Sequence, residues 1–259
     1  MNGHTGMSKI KNMKFNAGLT GLCCLVFLAT SGFRPGDGKV KRITELTSPD
    51  PTAAARIREE YEYDTQGRIS KVTRPMYTEK GREGMMSFDD YAYDDSGRLS
   101  SVTGNNANIN SPTGFIILKH IVYTWSDDGR KVKESIEYPQ SGLSEYSLFI
   151  YDKGRLAKTE KYGYEGTLES YVVFEYNDSG EVFKETTFFK DGSLVSETLH
   201  TYTNGLNVKS DVYVVNVLGK DHLRTITRKY DSQNDLILLE SRELLVYSSM
   251  SSYTLRYEY

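Results

Sequence analysis

The chain has 259 residues, of which 26% are charged and 38% hydrophobic, and its formal net charge is −3. A mildly acidic chain lacks the clustered Lys and Arg that contacts to phosphates need, so nucleic acid is not an expected partner. The only two cysteines are adjacent, at Cys23 and Cys24, so no disulfide framework is expected.

Residues 1–31 have the pattern of a secretory signal peptide. Three lysines precede an apolar run over residues 19–28, and small residues at 29–31 follow where a signal peptidase cuts. The apolar run is too short to be a comfortable permanent membrane span. The chain is therefore predicted to be exported across the inner membrane, and to lie in the periplasm, on the cell surface or outside the cell.

The two cysteines offer an alternative in which Cys23 or Cys24 carries a lipid anchor. The residue before Cys23 is Leu22 where a small residue is expected, and the apolar run continues past both thiols, so cleavage after Ser31 is preferred. That cleavage removes both cysteines, together with three lysines and no acid. The mature chain then has no thiol chemistry and is more acidic than the whole.

Residues 32–55 are predicted to be a tether between the membrane side and the folded domain. Pro35, Gly36 and Pro51 interrupt this segment, and a run of alanines at 53–55 ends it. The folded domain is predicted to span residues 56–259.

A short phrase returns seven times within the predicted domain. It reads aromatic, any residue, aromatic, Asp or a polar substitute, a polar turn, Gly, and then often Arg and an aliphatic residue. The clearest copies are Tyr61–Ile69 and Tyr91–Leu99, and in the seventh copy Asn234 replaces Gly. Asn is the non-glycine residue that best tolerates positive φ. Recurrence at roughly 25 to 32 residues indicates a repeat protein.

Each phrase is predicted to be a strand that enters a β-hairpin. Asp suits the first turn position because its carboxylate accepts backbone N–H bonds, and Gly suits the left-handed position that closes the turn. Two strands per repeat predict an all-β fold, a curved antiparallel β-meander of about fourteen strands built from about seven hairpin repeats. The predicted structural turn residues are Gly67, Gly97, Gly129, Gly154, Gly180, Gly205 and Asn234.

The phrase Tyr-x-Tyr-Asp-x-x-Gly-Arg-Leu resembles the YD repeat of Rhs and teneurin-like proteins, and especially of short exported bacterial members. The resemblance covers roughly residues 56–259 and is closest at 61–69 and 91–99. It implies a long antiparallel sheet that, in the family, spirals into a shell, in some members around a toxin. About seven repeats are too few for such a shell, and no cargo domain follows them, so an encapsulating role is not expected. The sequence leaves undecided whether the sheet stays open or curls onto itself, and its end strands are expected to favour self-association or strand addition.

The two rings of each phrase are predicted to share one face of the sheet, because side chains alternate along a strand. The structural interpretation is a ladder of rings that stabilises a polar sheet. The alternative is that exposed rings form a platform for sugar rings or a partner protein. The candidate platform residues are Tyr91, Tyr93, Tyr123 and Trp125, the only tryptophan.

No catalytic motif is apparent in the sequence. A nucleophile elbow, a phosphate loop and an HExxH pattern are absent, and His120, His200 and His222 lie in different repeats. No metal and no cofactor are therefore predicted. Paired strand carboxylates of the glycosidase kind stay open, so a polysaccharide-acting hydrolase is the alternative function.

The sequence thus predicts an exported, non-catalytic binding or scaffold protein of the cell envelope. It is expected to contact a surface glycan or an envelope protein through a sheet face or its loops. An outer-membrane β-barrel is a further alternative, because aromatic and aliphatic residues alternate over residues 253–259. Against it, segments 131–134 and 158–161 place charge on both faces, which a lipid-facing strand does not tolerate.

Overall fold

The structure, a computed structural model, describes residues 41–46, 56–78, 81–216, 219–243 and 253–258. The predicted signal peptide lies outside these residues, as does most of the predicted tether. The described residues contain no helix long and apolar enough to cross a membrane. They form the strands β1 (Arg42–Leu46), β2 (Arg56–Tyr63), β3 (Ile69–Thr78), β4 (Gly81–Tyr93), β5 (Leu99–Ala107), β6 (Phe115–Trp125), β7 (Lys131–Tyr138), β8 (Leu143–Asp152), β9 (Arg155–Tyr162), β10 (Leu168–Tyr176), β11 (Val182–Phe189), β12 (Leu194–Thr203), β13 (Leu206–Asn216), β14 (Gly219–Tyr230), β15 (Leu236–Glu243) and β16 (Tyr253–Glu258).

Each strand pairs antiparallel with the next, and β1 also pairs with β16, so the meander closes into a barrel of sixteen strands. The predicted all-β antiparallel meander is confirmed. The prediction of a curved sheet of about fourteen strands is wrong, because the sheet has sixteen strands and is closed. The seven phrase hairpins form β2 to β15, which are the fourteen predicted strands. The two further strands close the ring: β1 lies within the predicted tether, and β16 carries the final aromatic alternation.

Closure also removes the basis for the predicted edge-strand association. Residues 42–46 of β1 pair with β16, and residues 42–45 pair with β2 on the other side. A strand in a closed ring has a neighbour on each side, so its backbone groups are not offered to another chain. Among the described strands, none is left as an edge.

The seven phrase turns lie at one end of the barrel, named the phrase end here; the opposite end is the far end. In the first turn, Gly67 N donates to Asp64 O at 2.9 Å and Arg68 N donates to Asp64 Oδ1 at 2.8 Å. The two shorter turns have consecutive positive φ at Lys153–Gly154 and Asn204–Gly205, as a type I′ hairpin needs. Positive φ occurs at Gly67, Gly97, Gly129, Gly154, Gly180, Gly205 and Asn234.

One face of the sheet lines the barrel lumen. Inward side chains converge and outward ones splay apart, so we assign the face that carries most of the buried side chains to the lumen. The strand register connects many of them, as in the row Val102, Ile121 and Ile136. A ring of this many strands leaves a lumen instead of a packed core. The buried apolar residues of this face include Ile43, Val72, Val102, Ile121, Ile136, Phe149 and Leu255.

The outer face is charged along its strands. Lys158 Nζ lies 2.7 Å from Glu160 Oε1, and Lys184 Nζ lies 3.0 Å from Glu175 Oε1 and 3.1 Å from Glu197 Oε1. The sequence also predicts a wet face opposite the phrase rings. Lysines lie over aromatic pairs on this face. Lys133 lies over the Tyr146 ring, which stacks on Tyr162. Lys158 lies over the Tyr171 ring, which stacks on Phe188.

Candidate functional site

The second ring of each later phrase is tied to the backbone of the preceding repeat. Tyr93 OH donates to Ile69 O at 2.8 Å, and Trp125 Nε1 donates to Leu99 O at 2.8 Å. These bonds reach from one hairpin to the previous one, so they explain why the phrase repeats its second ring. The same bond runs from Tyr151 to Lys131 (3.0 Å), Tyr176 to Leu156 (2.9 Å), Tyr202 to Val182 (3.0 Å) and Tyr230 to Asn207 (2.9 Å).

The arginine of the preceding phrase stacks on the same ring. The guanidinium carbon of Arg68 lies 4.2 Å from the Tyr93 ring centroid, and that of Arg98 lies 5.9 Å from the Trp125 ring. Arg98 Nε is held in turn by Asp94 Oδ2 at 2.8 Å. Two of the four predicted platform residues are therefore already engaged. The polar atom of Tyr93 and of Trp125 bonds a backbone carbonyl, and one face of each ring is covered by an arginine.

The other two predicted platform residues, Tyr91 and Tyr123, also lie on the lumen face. The register places Tyr91 opposite Val102, which pairs with Ile121, two residues before Tyr123 in β6. Both rings are half-buried. The structure therefore brings all four predicted residues to one face of neighbouring strands, and leaves Tyr91 and Tyr123 as the two without a link to a backbone carbonyl.

A charged cluster that the sequence analysis did not single out lies beside Tyr91. Arg74 Nε is 3.1 Å from Glu59 Oε1, and Arg74 Nη1 is 2.9 Å from Asp89 Oδ2. Tyr61 OH donates to Glu59 Oε2 at 2.5 Å. We call Glu59, Tyr61, Arg74, Asp89 and Tyr91 the lumen cluster. A signal for this cluster was present in the sequence. In phrases one and two an acid stands two residues before the first ring, and residues two apart in a strand lie on the same face.

Gly104 allows a second cation to lie against this cluster. The register puts Asp89, Gly104 and Lys119 in one row across β4, β5 and β6. A Cβ at position 104 would lie 3.0 Å from Lys119 Cγ and 3.1 Å from Asp89 Oδ1. The missing side chain therefore makes room for the Lys119 stem, and the lumen wall here carries carboxylates, cations and phenols together.

Burial raises the pKa of the lumen phenols. Desolvation is the main cause for Tyr61 and Tyr91, and the neighbouring carboxylates Glu59 and Asp89 raise the pKa values further. Desolvation and then Glu134 act in the same direction on Tyr123. These phenols are protonated at neutral pH and can donate hydrogen bonds to a bound molecule.

Alkaline titration is expected to separate the lumen phenols from ordinary tyrosines. Folding raises the pKa of Tyr61, Tyr91 and Tyr123, so only the neutral form is well accommodated. Stability is therefore complete below the unfolded value of about 10 and falls as pH rises above it. Tyrosinate absorbance should show a delayed fraction that appears together with unfolding. The protein unfolded in guanidinium is the control, and a folded protein whose tyrosines all titrate near pH 10 would contradict the burial.

The opposite wall carries a polar cluster where the later phrases depart from the pattern. His200 and Arg228 stand at the first-ring position of phrases six and seven. His200 Nδ1 lies 2.9 Å from Ser210 Oγ, and His200 Nε2 lies 3.2 Å from Glu185 Oε1. Ser, His and Glu in this order match a nucleophilic triad.

The environment of Ser210 favours a structural role for this polar cluster. Ser210 is 1% exposed, and its Oγ accepts a hydrogen bond from Arg228 Nη1 at 2.9 Å. Arg228 Nη1 also donates to Asn207 Oδ1 at 3.0 Å. A nucleophile must reach its substrate, and this hydroxyl is covered and engaged. The cluster satisfies buried polar groups where two phrases have no ring.

Comparison with known proteins adds similarity of shape alone. No protein-family model matches the chain, and no curated protein matches its sequence. A porin-like protein from Bacteroides uniformis aligns over 85% of this chain and 96% of its own, at 12% identity and a TM-score of 0.39. One from Bacteroides vulgatus aligns over 85% and 98%, at 13% and 0.36. A TcdB2-TccC3 structure aligns over 80% of this chain and 15% of its own, at 13% and 0.20. These TM-scores are low, so the assignment of a barrel depends on the strand pairing described above and not on these structures. No function of these proteins is assigned to this chain.

Proposed function

We propose that the protein is an exported, non-catalytic binding protein of the cell envelope that takes an oligosaccharide into its barrel lumen. The observation that carries the proposal is the group of half-buried phenols, Tyr61, Tyr91 and Tyr123, on the lumen face that also holds the Glu59–Arg74–Asp89 ion pairs. Rings that pack on a sugar face, together with fixed polar groups for its hydroxyls, are what a sugar site needs. The repeat phrase supports membership of the YD-repeat family as part of the same proposal.

The lumen supports this proposal better than the outer face does. Outer-face rings such as Tyr146 and Tyr171 are stacked in pairs under lysines, so their faces already have neighbours. Neither Tyr91 nor Tyr123 stacks on another aromatic ring among the described residues. Lys131 Nζ lies 5.3 Å from the Tyr123 ring centroid, so Tyr91 is the less covered of the two. The lumen wall is also where the predicted platform residues come together.

Substituting Tyr91 and Tyr123 together with alanine is expected to weaken oligosaccharide binding about tenfold or more. Each ring is worth roughly 1 kcal/mol in such contacts, and 1.4 kcal/mol is a factor of ten in affinity. Calorimetric titration of a panel of envelope and dietary oligosaccharides identifies the ligand and then measures the variant. Tyr146→Ala on the outer face is the matched control and should bind normally. A panel without any binder would sink the lumen proposal.

The hydrolase alternative has weaker support from the same cluster. A glycosidase needs one carboxyl group that carries a proton and a second that acts as nucleophile or base. Here Arg74 ion-pairs with both Glu59 and Asp89. Release of reducing ends from a bound oligosaccharide, lost in Glu59→Gln, would favour the hydrolase over the binding protein.

An outer-membrane barrel is the second candidate, because the ring is closed, antiparallel and even-numbered. The charges of the outer face argue against it. Lys209 Nζ lies 2.8 Å from Asp211 Oδ2 in the middle of β13, and a lysine that faces lipid at the bilayer midplane costs about 2–4 kcal/mol. The proposal therefore expects a barrel that does not sit in the bilayer.

Detergent phase partition distinguishes the two candidates. In Triton X-114, a barrel with a wet outer face is expected in the aqueous phase, and an outer-membrane barrel in the detergent phase. The Cys23→Ala/Cys24→Ala variant is used so that a lipid anchor cannot carry the protein into detergent. Recovery of this variant in the detergent phase would favour the outer-membrane candidate.

A further inference from the structure

Four of the carboxylates that the structure describes on the lumen wall are paired with cations. Glu59 and Asp89 share Arg74. Paired acids do not attract a cationic ligand strongly, because their charge is already compensated. The other pairs are Glu134 with Lys131 (3.4 Å) and Glu145 with Lys161 (3.1 Å). Glu185 has a polar neighbour instead, the Nε2 atom of His200 at 3.2 Å.

Two cations of the lumen face differ from these, because neither forms an ion pair among the described side chains. The Nε of Arg224 on β14 is buried and has no hydrogen-bond partner in the structure. The register places Arg224 between Val212 of β13 and Glu243 of β15, on the same face as Arg228. A buried donor without a partner is rare in folded proteins, and a bound ion is one recurrent explanation. Arg224 as a whole is half-buried, so unlike Ser210 it is not closed off from solvent. Among the described side chains Arg224 forms no ion pair.

Lys119 is the second such cation. Its stem lies against Gly104, and Asp89, the acid of its row, is engaged by Arg74 at 2.9 Å. Lys119 has no ion pair within the part of the chain that the structure describes. It stands beside the lumen cluster, where the phenols of Tyr61 and Tyr91 lie.

The ring order puts these two cations on opposite walls. Lys119 is on β6 and Arg224 is on β14, which are eight strands apart in a ring of sixteen. A single small anion does not reach both walls, whereas an elongated molecule with several anionic groups does. Both cations lie in the half of their strands nearer the far end.

We propose that the lumen ligand is an acidic oligosaccharide whose anionic groups pair with Lys119 and Arg224. This inference rests on the proposed function, and it specifies the ligand class. Uronic-acid chains and sulfated chains present the same kind of anionic group, and both suit a guanidinium and an ammonium. The phenols of the lumen cluster then contact the sugar rings between the charges.

The test is a calorimetric comparison of three ligands of equal length. These are oligogalacturonides, the same chains after reduction of their carboxyl groups, and a sulfated oligosaccharide. An acidic chain is expected to bind at least tenfold more tightly than the reduced chain, and added salt should weaken the acidic chain alone. Lys119→Gln and Arg224→Gln should each lower the preference about fivefold, and the double variant should abolish it. Lys133→Gln and Lys209→Gln on the outer face are the controls.

The outcomes separate this inference from the proposed function. Equal affinity for acidic and reduced chains would overturn the inference and leave a neutral oligosaccharide as the ligand. Binding of the sulfated chain alone would support the charge assignment and identify sulfate as the group. If none of the three binds and the wider panel also fails, both proposals fall. Since Arg224→Gln breaks no described bond, its melting temperature should match the wild type; if it unfolds, Arg224→Lys replaces it.

Discussion

Replacing Trp125 with alanine is expected to lower the free energy of unfolding by about 3 kcal/mol. This is the low end of the range for a buried aromatic side chain, because Trp125 is half-buried. The indole Nε1 donates to Leu99 O at 2.8 Å, and Arg98 stacks on the ring from the preceding phrase. Removal of the ring breaks the link between two hairpins and uncovers Arg98. Because the variant lacks the only tryptophan, urea unfolding is followed by far-ultraviolet circular dichroism.

A Trp125→Phe variant separates the ring from its N–H group. Phenylalanine keeps most of the apolar contact but leaves Leu99 O without its donor, so a loss of about 1 kcal/mol is expected. The order wild type, Trp125→Phe, Trp125→Ala in stability is the result that the hairpin-to-hairpin link predicts. Equal stability of all three would show that the repeats are held together by the strand ladder alone.

Replacing Glu134 with alanine is expected to cost about 3 kcal/mol at neutral pH. Glu134 and Lys131 are 3.4 Å apart on the lumen face, and their side chains are only 7% and 12% exposed. Lys131 Nζ also lies 4.0 Å from the Phe149 ring centroid. Loss of the carboxylate leaves a buried ammonium without its partner, which is strongly destabilising. Urea unfolding at pH 7 measures the loss.

The pH dependence of the Glu134→Ala variant identifies the cause of its loss. Desolvation lowers the pKa of Lys131, although Glu134 opposes this effect. Without Glu134 only the lowering effect of burial is left, so the penalty should be full at neutral pH and should shrink as rising pH removes the proton from Lys131. A penalty that is independent of pH would point to lost packing.

Two matched variants complete the comparison. Glu160→Ala breaks the outer-face pair with Lys158 and should cost under about 1 kcal/mol, because water solvates the remaining lysine. The double variant Lys131→Met/Glu134→Leu removes both lumen charges and should regain most of the stability lost in Glu134→Ala. If Glu134→Ala costs no more than Glu160→Ala, the lumen pair is not desolvated.

The turns show how much local chemistry can predict. Asp64 accepts from the backbone of its own turn, and Asn234 has a φ of 69°, so the replacement of Gly by Asn follows from backbone sterics alone. The two-residue spacing of rings is equally local, because side chains alternate along any strand. Hairpin positions and shared faces were therefore accessible from short stretches of sequence.

The candidate site shows where local chemistry stops. Arg74 meets Glu59 and Asp89 from two neighbouring strands, each fifteen residues away in sequence. Strand register decides such contacts, and register depends on bulges such as the one between Arg74 and Pro75. The platform residues Tyr93 and Trp125 were likewise singled out by type, but only their neighbours in space show that arginines cover them.

Short stretches of sequence encode the repeating hairpins, the turn residues and the single face on which the rings gather, because each depends on a few adjacent residues. The closure of the meander, in contrast, is a property of the whole fold. Closure depends on β1, a five-residue strand inside the predicted tether, which pairs with β16 some two hundred residues later. No local pattern encodes that pairing. Closure in turn converts one face into a lumen, removes the free edges, and brings opposite walls to face the same enclosed space.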